Sequence, residues 1–446
     1  TDDSGTLTIQ DEKNDDGSAK GSASDTTGSL TANGGGRGAG IGGSDEHNGQ
    51  ATITGGKITA TGGNGAAGIG GGAGDKYTAV GGDGDVTISG GTITATGGSL
   101  AAGIGGGLDG NGTVTITGGD ITAKATGRYG AGIGGGCGEI PKDTLIGGNG
   151  TVTISGGTIT EASGGEMAAG IGSGYQGLGT VTIEGDAVIK NAQGGEAGAG
   201  IGSGTDGDSN ILIRGNAIIE NAESKTGGAG IGSGQGFLYY DDDIEETIID
   251  KTVGNVTIEG NAKIENAKSG YGGSGIGGGA IGIGNVIIRG NAQIGNATGG
   301  EEGAGIGGGA LGTGDVTIEG NVTIENAQGG AGAAGIGGGA ETEPDTEDTR
   351  NKVSIKSTEA GSPNITATGG GVLNDENYPL AGAAAIGSGS VADGATEVKS
   401  DITIEGKVTI DATGGGDVAI GDSTNGETQF SGLQVGTTIT RRNGKG

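Results

Sequence analysis

A single cysteine, Cys137, excludes an internal disulfide and gives no sign of a redox or zinc site. Four prolines, and glycines that do not recur every third residue, exclude collagen. There is no run of about 18 apolar residues to span a membrane. Lysine and arginine number 23 against 54 aspartates and glutamates, a net charge of −31. Nucleic-acid phosphates and anionic lipid surfaces would be repelled, so neither is expected as a partner. Aromatics make up 2% of the chain and tryptophan is absent, which is poor material for stacking on sugars. No His-Glu-x-x-His or Walker pattern occurs, and the Gly-x-Gly-x-x-Gly at Gly130, Gly132 and Gly135 follows from composition, with no helix after it.

What the chain has is glycine, 119 of 446 residues, set in a period. A Gly-Ile-Gly or Ala-Ile-Gly triplet marks each repeat, with its isoleucine at Ile41, Ile69, Ile104, Ile133, Ile171, Ile201, Ile231, Ile276, Ile306, Ile336, Ile386 and Ile420. The interval settles near 30 residues. A period of that size means a solenoid, in which each repeat buries its apolar side against its neighbours.

Each repeat carries three short apolar segments. The first is Val-Thr-Ile, as at Val86–Ile88, Val152–Ile154 and Val181–Ile183. The second centres on one isoleucine, as at Ile58, Ile93, Ile159 and Ile189, and the third is Ala-Gly-Ile-Gly. Val-Thr-Ile alternates in-out-in, the period of a half-buried strand, and glycine interrupts too often for helices. The expected fold is all-β: a right-handed parallel β-helix with three strands per coil and about twelve coils. At β spacing these would make a rod on the order of 60 Å long. One domain over 1–446 is expected, with a first coil and cap over 1–28, repeat coils over 29–420 and a C-terminal cap over 421–446.

Two rows predict coil-on-coil register. The residue after the first strand reads Glu184, Arg214, Glu259, Arg289, Glu319, Lys356, Glu405, with alternating sign. Opposite charges across neighbouring strands help and like charges hurt. Asn191, Asn221, Asn266, Asn296 and Asn326 stand two residues after the second isoleucine and can bond amide to amide. Earlier coils place Ala60, Ala95 and Ala123 at that count. In the third strand, alanine and isoleucine are expected to face in and glycines out. Those glycines either allow tight corners and close coil packing, or form a flat backbone surface that a polysaccharide or another rod approaches.

Insertions fall mostly between the third strand and the next first strand, at residues 72–84, 136–149, 234–253, 340–351 and 388–400. Loops gathered on one edge often build the binding surface of a repeat protein. The segment from Phe237 to Glu246 is the most distinctive. Phe237, Tyr239 and Tyr240, with Tyr378 from the separate insertion 371–383, are candidate ligand-binding residues. Asp241, Asp242, Asp243, Glu245 and Glu246 are candidate calcium ligands, because clustered carboxylates hold calcium through oxygen. A second acidic cluster, Glu341, Glu343, Asp345, Glu347 and Asp348, reads as a solvated loop. Asp83 with Asp85, and Asp206 with Asp208, have calcium-compatible spacing only.

Catalysis has little to stand on. His47 and Cys137 lie three coils apart, roughly 14 Å at β spacing, too far to form a nucleophile pair. Polysaccharide lyases and hydrolases gather carboxylates and a base on one exposed face, and no such cluster stands on the outward strand positions. The outward row Thr52, Thr87, Thr115, Thr153, Thr182 gives way to Leu212 and Ile287, against an ice-binding face.

The pattern over residues 84–107, Gly-x-Val-Thr-Ile-x-Gly-Gly-x-Ile-Thr-Ala-x-Gly-Gly…Ala-Gly-Ile-Gly-Gly-Gly, resembles the glycine-rich repeats of large surface proteins in Gram-positive bacteria. Its Thr-Ile-Ser-Gly-Gly-Thr-Ile-Thr-Ala portion is similar to a family of calcium-binding parallel β-helix carbohydrate-binding domains. The Gly-Ile-Gly-Gly-Gly strand departs from that family's pattern, and no calcium ligands carry over residue by residue. The resemblance implies a secreted, cell-surface or cell-wall location and binding of an acidic polysaccharide through calcium. The expected function is a non-catalytic adhesin or carbohydrate-binding region, taken from a larger secreted protein. A rigid spacer, and a polysaccharide-cleaving enzyme, are the alternatives.

Overall fold

In a computed structural model, residues 7–9, 28–74, 82–138, 148–241, 246–340, 350–372, 380–391, 398–422 and 429–443 are described, side chains excepted at 239–241, 246–248 and 429–431. The chain forms a right-handed parallel β-solenoid with three strands per coil, in two compact units, Thr1–Gly207 and Asp208–Gly446. No helix of the structure is long and apolar enough to cross a membrane.

Among the described residues, the first unit stacks six strands in each of three parallel sheets. The first sheet runs from Leu7–Ile9 through Gly49–Ile53, Gly84–Ile88, Gly112–Ile116 and Gly150–Ile154 to Gly179–Ile183. Its register matches valine to valine and isoleucine to isoleucine: Val86, Val114, Val152 and Val181 form one column, and Ile88, Ile116, Ile154 and Ile183 another. All are almost fully buried, while the threonine between them is half-exposed. The second sheet adds a column of Ile58, Ile93, Ile121, Ile159 and Ile189. The third adds Ile69, Ile104, Ile133, Ile171 and Ile201. Each fully buried isoleucine contributes about 1.5–3 kcal/mol relative to exposure.

The second unit repeats this plan from Ser209–Ile213 onward. The charge ladder is present in it. Arg289 pairs in register with Glu319, Glu319 with Lys356, and Lys356 with Glu405. Arg289 Nη2 lies 2.6 Å from Glu259 Oε2, and Lys356 Nζ lies 3.0 Å from Glu319 Oε2. The asparagine ladder is present too: Asn266 Nδ2 donates to Asn221 Oδ1 at 3.2 Å, and Asn296 Nδ2 to Asn266 Oδ1 at 3.0 Å. Two further ladders were not anticipated. Asn216, Asn261, Asn291 and Asn321 link amide to amide at 3.1–3.2 Å, and Asn210, Asn255 and Asn285 at 2.9–3.0 Å.

Register corrects the origin of the first asparagine row. Ala123 pairs with Ala162 and Ala162 with Ala192, so the early alanines share a column with later alanines, not with Asn191. From Thr158–Ser163 to Thr323–Gln328, two residues instead of one separate the second-sheet isoleucine from its alanine; the register shifts between Ile121 and Thr122 and again between Ile324 and Ala327, and Ile365 and Ala367 are back to one. This is a β-bulge, one extra residue with a local kink. The added position is that of Thr160, which Ile121–Thr122 leaves unpaired; the asparagines stand at the next position, that of Glu161, beside the alanine column.

The third sheet also differs from expectation. Its glycines do not form an open outer face: Gly68, Gly70, Gly103, Gly105, Gly132 and Gly134 are buried. Each third strand is only an Ile-Gly pair at the tip of a pinched loop. The loop is closed by the amide of the alanine two residues before the isoleucine, as where Ala67 N donates to Gly71 O at 2.9 Å. The turns on either side then meet outside the strand and roof it. The glycine after each isoleucine has φ near +130°, as at Gly70 (+132°) and Gly105 (+129°), a conformation essentially reserved for glycine. Tight corners and close packing account for these glycines.

Candidate functional site

The segment singled out in the sequence is a β-hairpin. Phe237–Asp241 pairs antiparallel with Glu246–Asp250, Phe237 opposite Asp250 and Asp241 opposite Glu246. Those two strands form a two-stranded sheet separate from the solenoid's three. Phe237 is half-buried, and Leu238 beside it is 47% exposed. The backbone brings the Tyr239, Tyr240 and Asp241 positions opposite Ile248, Thr247 and Glu246. The candidates Asp242, Asp243, Glu245 and Tyr378 lie outside the described residues, as does the acidic cluster Glu341–Asp348. Among the described residues, no group of three or more His, Cys, Asp and Glu could hold a metal ion.

Two of the spaced aspartate candidates have structural roles. Asp83 Oδ1 accepts the amide of Asn111 at 2.7 Å, in a row where Asn48 Oδ1 accepts from Asp83 N and Asn111 Oδ1 from Asn149 N. Asp208 Oδ1 likewise accepts from Val253 N at 2.7 Å. These side chains bridge one coil to the next at the turn entering the first sheet. Glu259 and Glu319, both about a quarter exposed, are held by the charge ladder. They line a shallow groove of about 350 Å³ with Arg214, Arg289 and the glycines that follow each charge.

A cluster that sequence reading missed lies on the roof of the third sheet in the first unit. The amide four residues after one isoleucine donates to the carbonyl four residues before the isoleucine of the preceding coil. Leu108 N donates to Gly65 O, Cys137 N to Leu100 O, Tyr175 N to Tyr129 O and Thr205 N to Met167 O, at 2.7–3.0 Å. This brings the Tyr129 and Tyr175 rings to a centroid separation of 5.2 Å and a tilt of 50°. The Arg128 guanidinium carbon lies 5.4 Å from the Tyr129 ring centre, and Arg128 Nε donates to Glu166 Oε2 at 2.7 Å. The hydrogen bond to Glu166 foremost, then the charge environment of Tyr129, Glu166 and Glu196, raises the Arg128 pKa. Burial first, and then Asp206, Tyr129 and Cys137, push the Tyr175 hydroxyl up. Cys137, 3% exposed, is pushed up to about 12 by burial and by Asp109, so it is an inert thiol at neutral pH. The signal was in the sequence as the offset of four residues on either side of Ile104, Ile133 and Ile171.

His47 Nδ1 hydrogen-bonds with Ser44 Oγ at 2.9 Å and with the Asp45 carbonyl at 2.6 Å.

Compared with known proteins, the chain matches a family described as a beta helix repeat over residues 52–73, 86–108, 114–137 and 152–175. No curated protein sequence and no solved structure matches it. The four matched segments each run from a first-sheet strand to the roof turn after the third, so the chain is similar to this repeat one coil at a time.

Proposed function

We propose that this chain is a non-catalytic, glycan-binding region of a bacterial cell-surface protein, displaying its insertions along one edge of a β-solenoid. The carrying observation is the hairpin Phe237–Asp250. Its strands add nothing to the hydrogen-bonding of the three stacked sheets, so a spacer has no need of it, while a binding surface does. In this reading Phe237, Tyr239 and Tyr240, with Tyr378, stack on sugar rings. Asp241, Asp242, Asp243, Glu245 and Glu246 hold calcium that bridges to acidic sugars. The non-catalytic part of the reading is supported by the use of Glu259 and Glu319 in the ladder and of Asp83 and Asp208 in backbone bridges, which leaves them poor candidates for acid–base work.

The test is a glycan array probed with the whole chain, in calcium and in chelator, beside a variant lacking residues 237–250. Binding lost with the hairpin, and weakened by chelator, supports the reading. Wild-type silence under both conditions overturns it in favour of the spacer, and release of reducing ends or unsaturated sugars from the probes overturns it in favour of an enzyme.

A further inference from the structure

The roof over the third sheet is built in both units from the same hydrogen bonds, yet not from the same side chains. In the second unit Ala280 N donates to Gly227 O, Ala310 N to Gly272 O, Ala340 N to Glu302 O and Ser390 N to Gly332 O, at 2.6–2.8 Å. In three of these four bonds both residues are glycine, alanine or serine, so small side chains suffice to close the roof. In the first unit, three successive coils carry Leu100, Leu108, Tyr129, Met167 and Tyr175 at these positions, all half-exposed. Two of the chain's seven tyrosines and its only methionine meet there. The fold does not require these side chains, and half-burial forfeits part of their hydrophobic gain.

We infer that the Tyr129–Tyr175 pair and the adjoining Arg128–Glu166 pair form a binding site for a neutral pyranose ring of a glycan chain. This rests on the glycan-binding reading above but assigns a different site, in the first unit. The chemistry fits a sugar on three counts. The two rings pack on each other at 5.2 Å and a tilt of 50°, and their half-exposed outer surfaces offer negative ring faces to the polarised C–H bonds on the apolar face of a pyranose. Arg128 lies over one ring and fixes it, leaving guanidinium donors at the rim, and Glu166 supplies carboxylate acceptors beside them. Alternating donors and acceptors suit vicinal hydroxyls. Arg128 is already neutralised by Glu166, so the site offers no net positive charge to an anion. The size also fits. Five half-exposed side chains fall far short of the roughly 800 Å² per partner of a stable protein interface, while one or two sugar rings match the outer surface of two packed tyrosines.

The experiment uses the full chain and hexasaccharides of glucose, galactose, mannose and N-acetylglucosamine as probes, titrated by calorimetry, with the thermal midpoint of each variant as the folding check. The Tyr129→Ala/Tyr175→Ala double variant should bind at least about tenfold more weakly than wild type, with Tyr175→Phe within about twofold because the stacking face remains. Arg128→Ala should weaken binding less than the double variant. Equal binding by wild type and the double variant overturns the site. Loss in the variant lacking 237–250 but not in the tyrosine variants overturns this site and leaves the hairpin reading standing. The reverse pattern supports this site and removes the hairpin. No binding by wild type to any probe overturns the site, and acidic glycans on the array then decide the hairpin reading alone.

Discussion

A methyl group placed on Gly134 would lie 1.8 Å from the main-chain carbonyl oxygen of Gly172 in the next coil. Gly134 also has φ +131°, where L side chains are strained. Neither problem can be relieved by a rotamer, because the obstacle is backbone on the third sheet. Gly134→Ala should therefore lower stability by about 3 kcal/mol or more, read as the urea midpoint by circular dichroism. Gly371→Ala is the control. Nothing lies within 4 Å of its would-be methyl, and its effect should stay within about 0.5 kcal/mol. An unchanged midpoint for Gly134→Ala would contradict the pinched-loop geometry.

Asn266 both gives and receives in its ladder, donating to Asn221 at 3.2 Å and accepting from Asn296 at 3.0 Å. The row is exposed, so each bond is worth about 0.5–1.5 kcal/mol net. Asn266→Ala should cost about 1–2 kcal/mol. A double-mutant cycle with Asn296→Ala should return a coupling of at least about 0.5 kcal/mol. Additive losses would mean that the amides bond mainly to water.

Arg289 sits between Glu259 and Glu319 in the column of alternating sign. Arg289→Glu puts three carboxylates in succession. The cost should be about 1–2 kcal/mol at low salt. It should shrink in 1 M sodium chloride, where the Debye length is about 3 Å. The urea midpoint of the variant, followed against salt, checks this, and a salt-independent deficit would point to packing instead of charge.

Cys137 gives a pH dependence with a definite sign. Its thiol titrates near 9.0 when exposed and is pushed up to about 12 in the folded chain by burial and by Asp109. Between those values the unfolded state loses the proton and the folded state keeps it. Its contribution is thus complete below about pH 9 and is lost as pH rises toward 12. Cys137→Ser should flatten the decline in stability over that window, and a thiol reagent at pH 8 should modify native protein only after denaturation. Rapid labelling of the native protein would refute the burial of this thiol.

The columns were legible because they repeat: the Ile88 and Ile93 rows, and the charges from Arg214 to Glu405, need only a period to be recognised. The bulge at Thr158–Ser163 was not, because counting from Ile189 cannot distinguish an added residue from a replaced one, whereas the pairing of Ala123 with Ala162 can. The buried third sheet was hidden for a different reason. Alternation assigns glycine to the outside of a strand, but the bond from Ala67 to Gly71 pinches the chain inward and the turns close above it. Tyr129 and Tyr175 looked unrelated because their offsets from an isoleucine have opposite sign, and only the crossing of turns from adjacent coils unites them.

Alternation of charge in the second unit has a period of two coils, whereas the buried strand columns have a period of one. Excising the single coil that bears Arg289 would rejoin all three sheets in register yet set Glu259 against Glu319. Excising the pair of coils bearing Arg289 and Glu319 would set Glu259 against Lys356 and keep the sequence of signs. Each like-charge neighbour costs only about 0.2–1 kcal/mol, but the penalty falls on odd changes of length and spares even ones. Recombination that lengthens or shortens such an array is therefore steered toward steps of two coils by its surface charges, while its core is indifferent to the count.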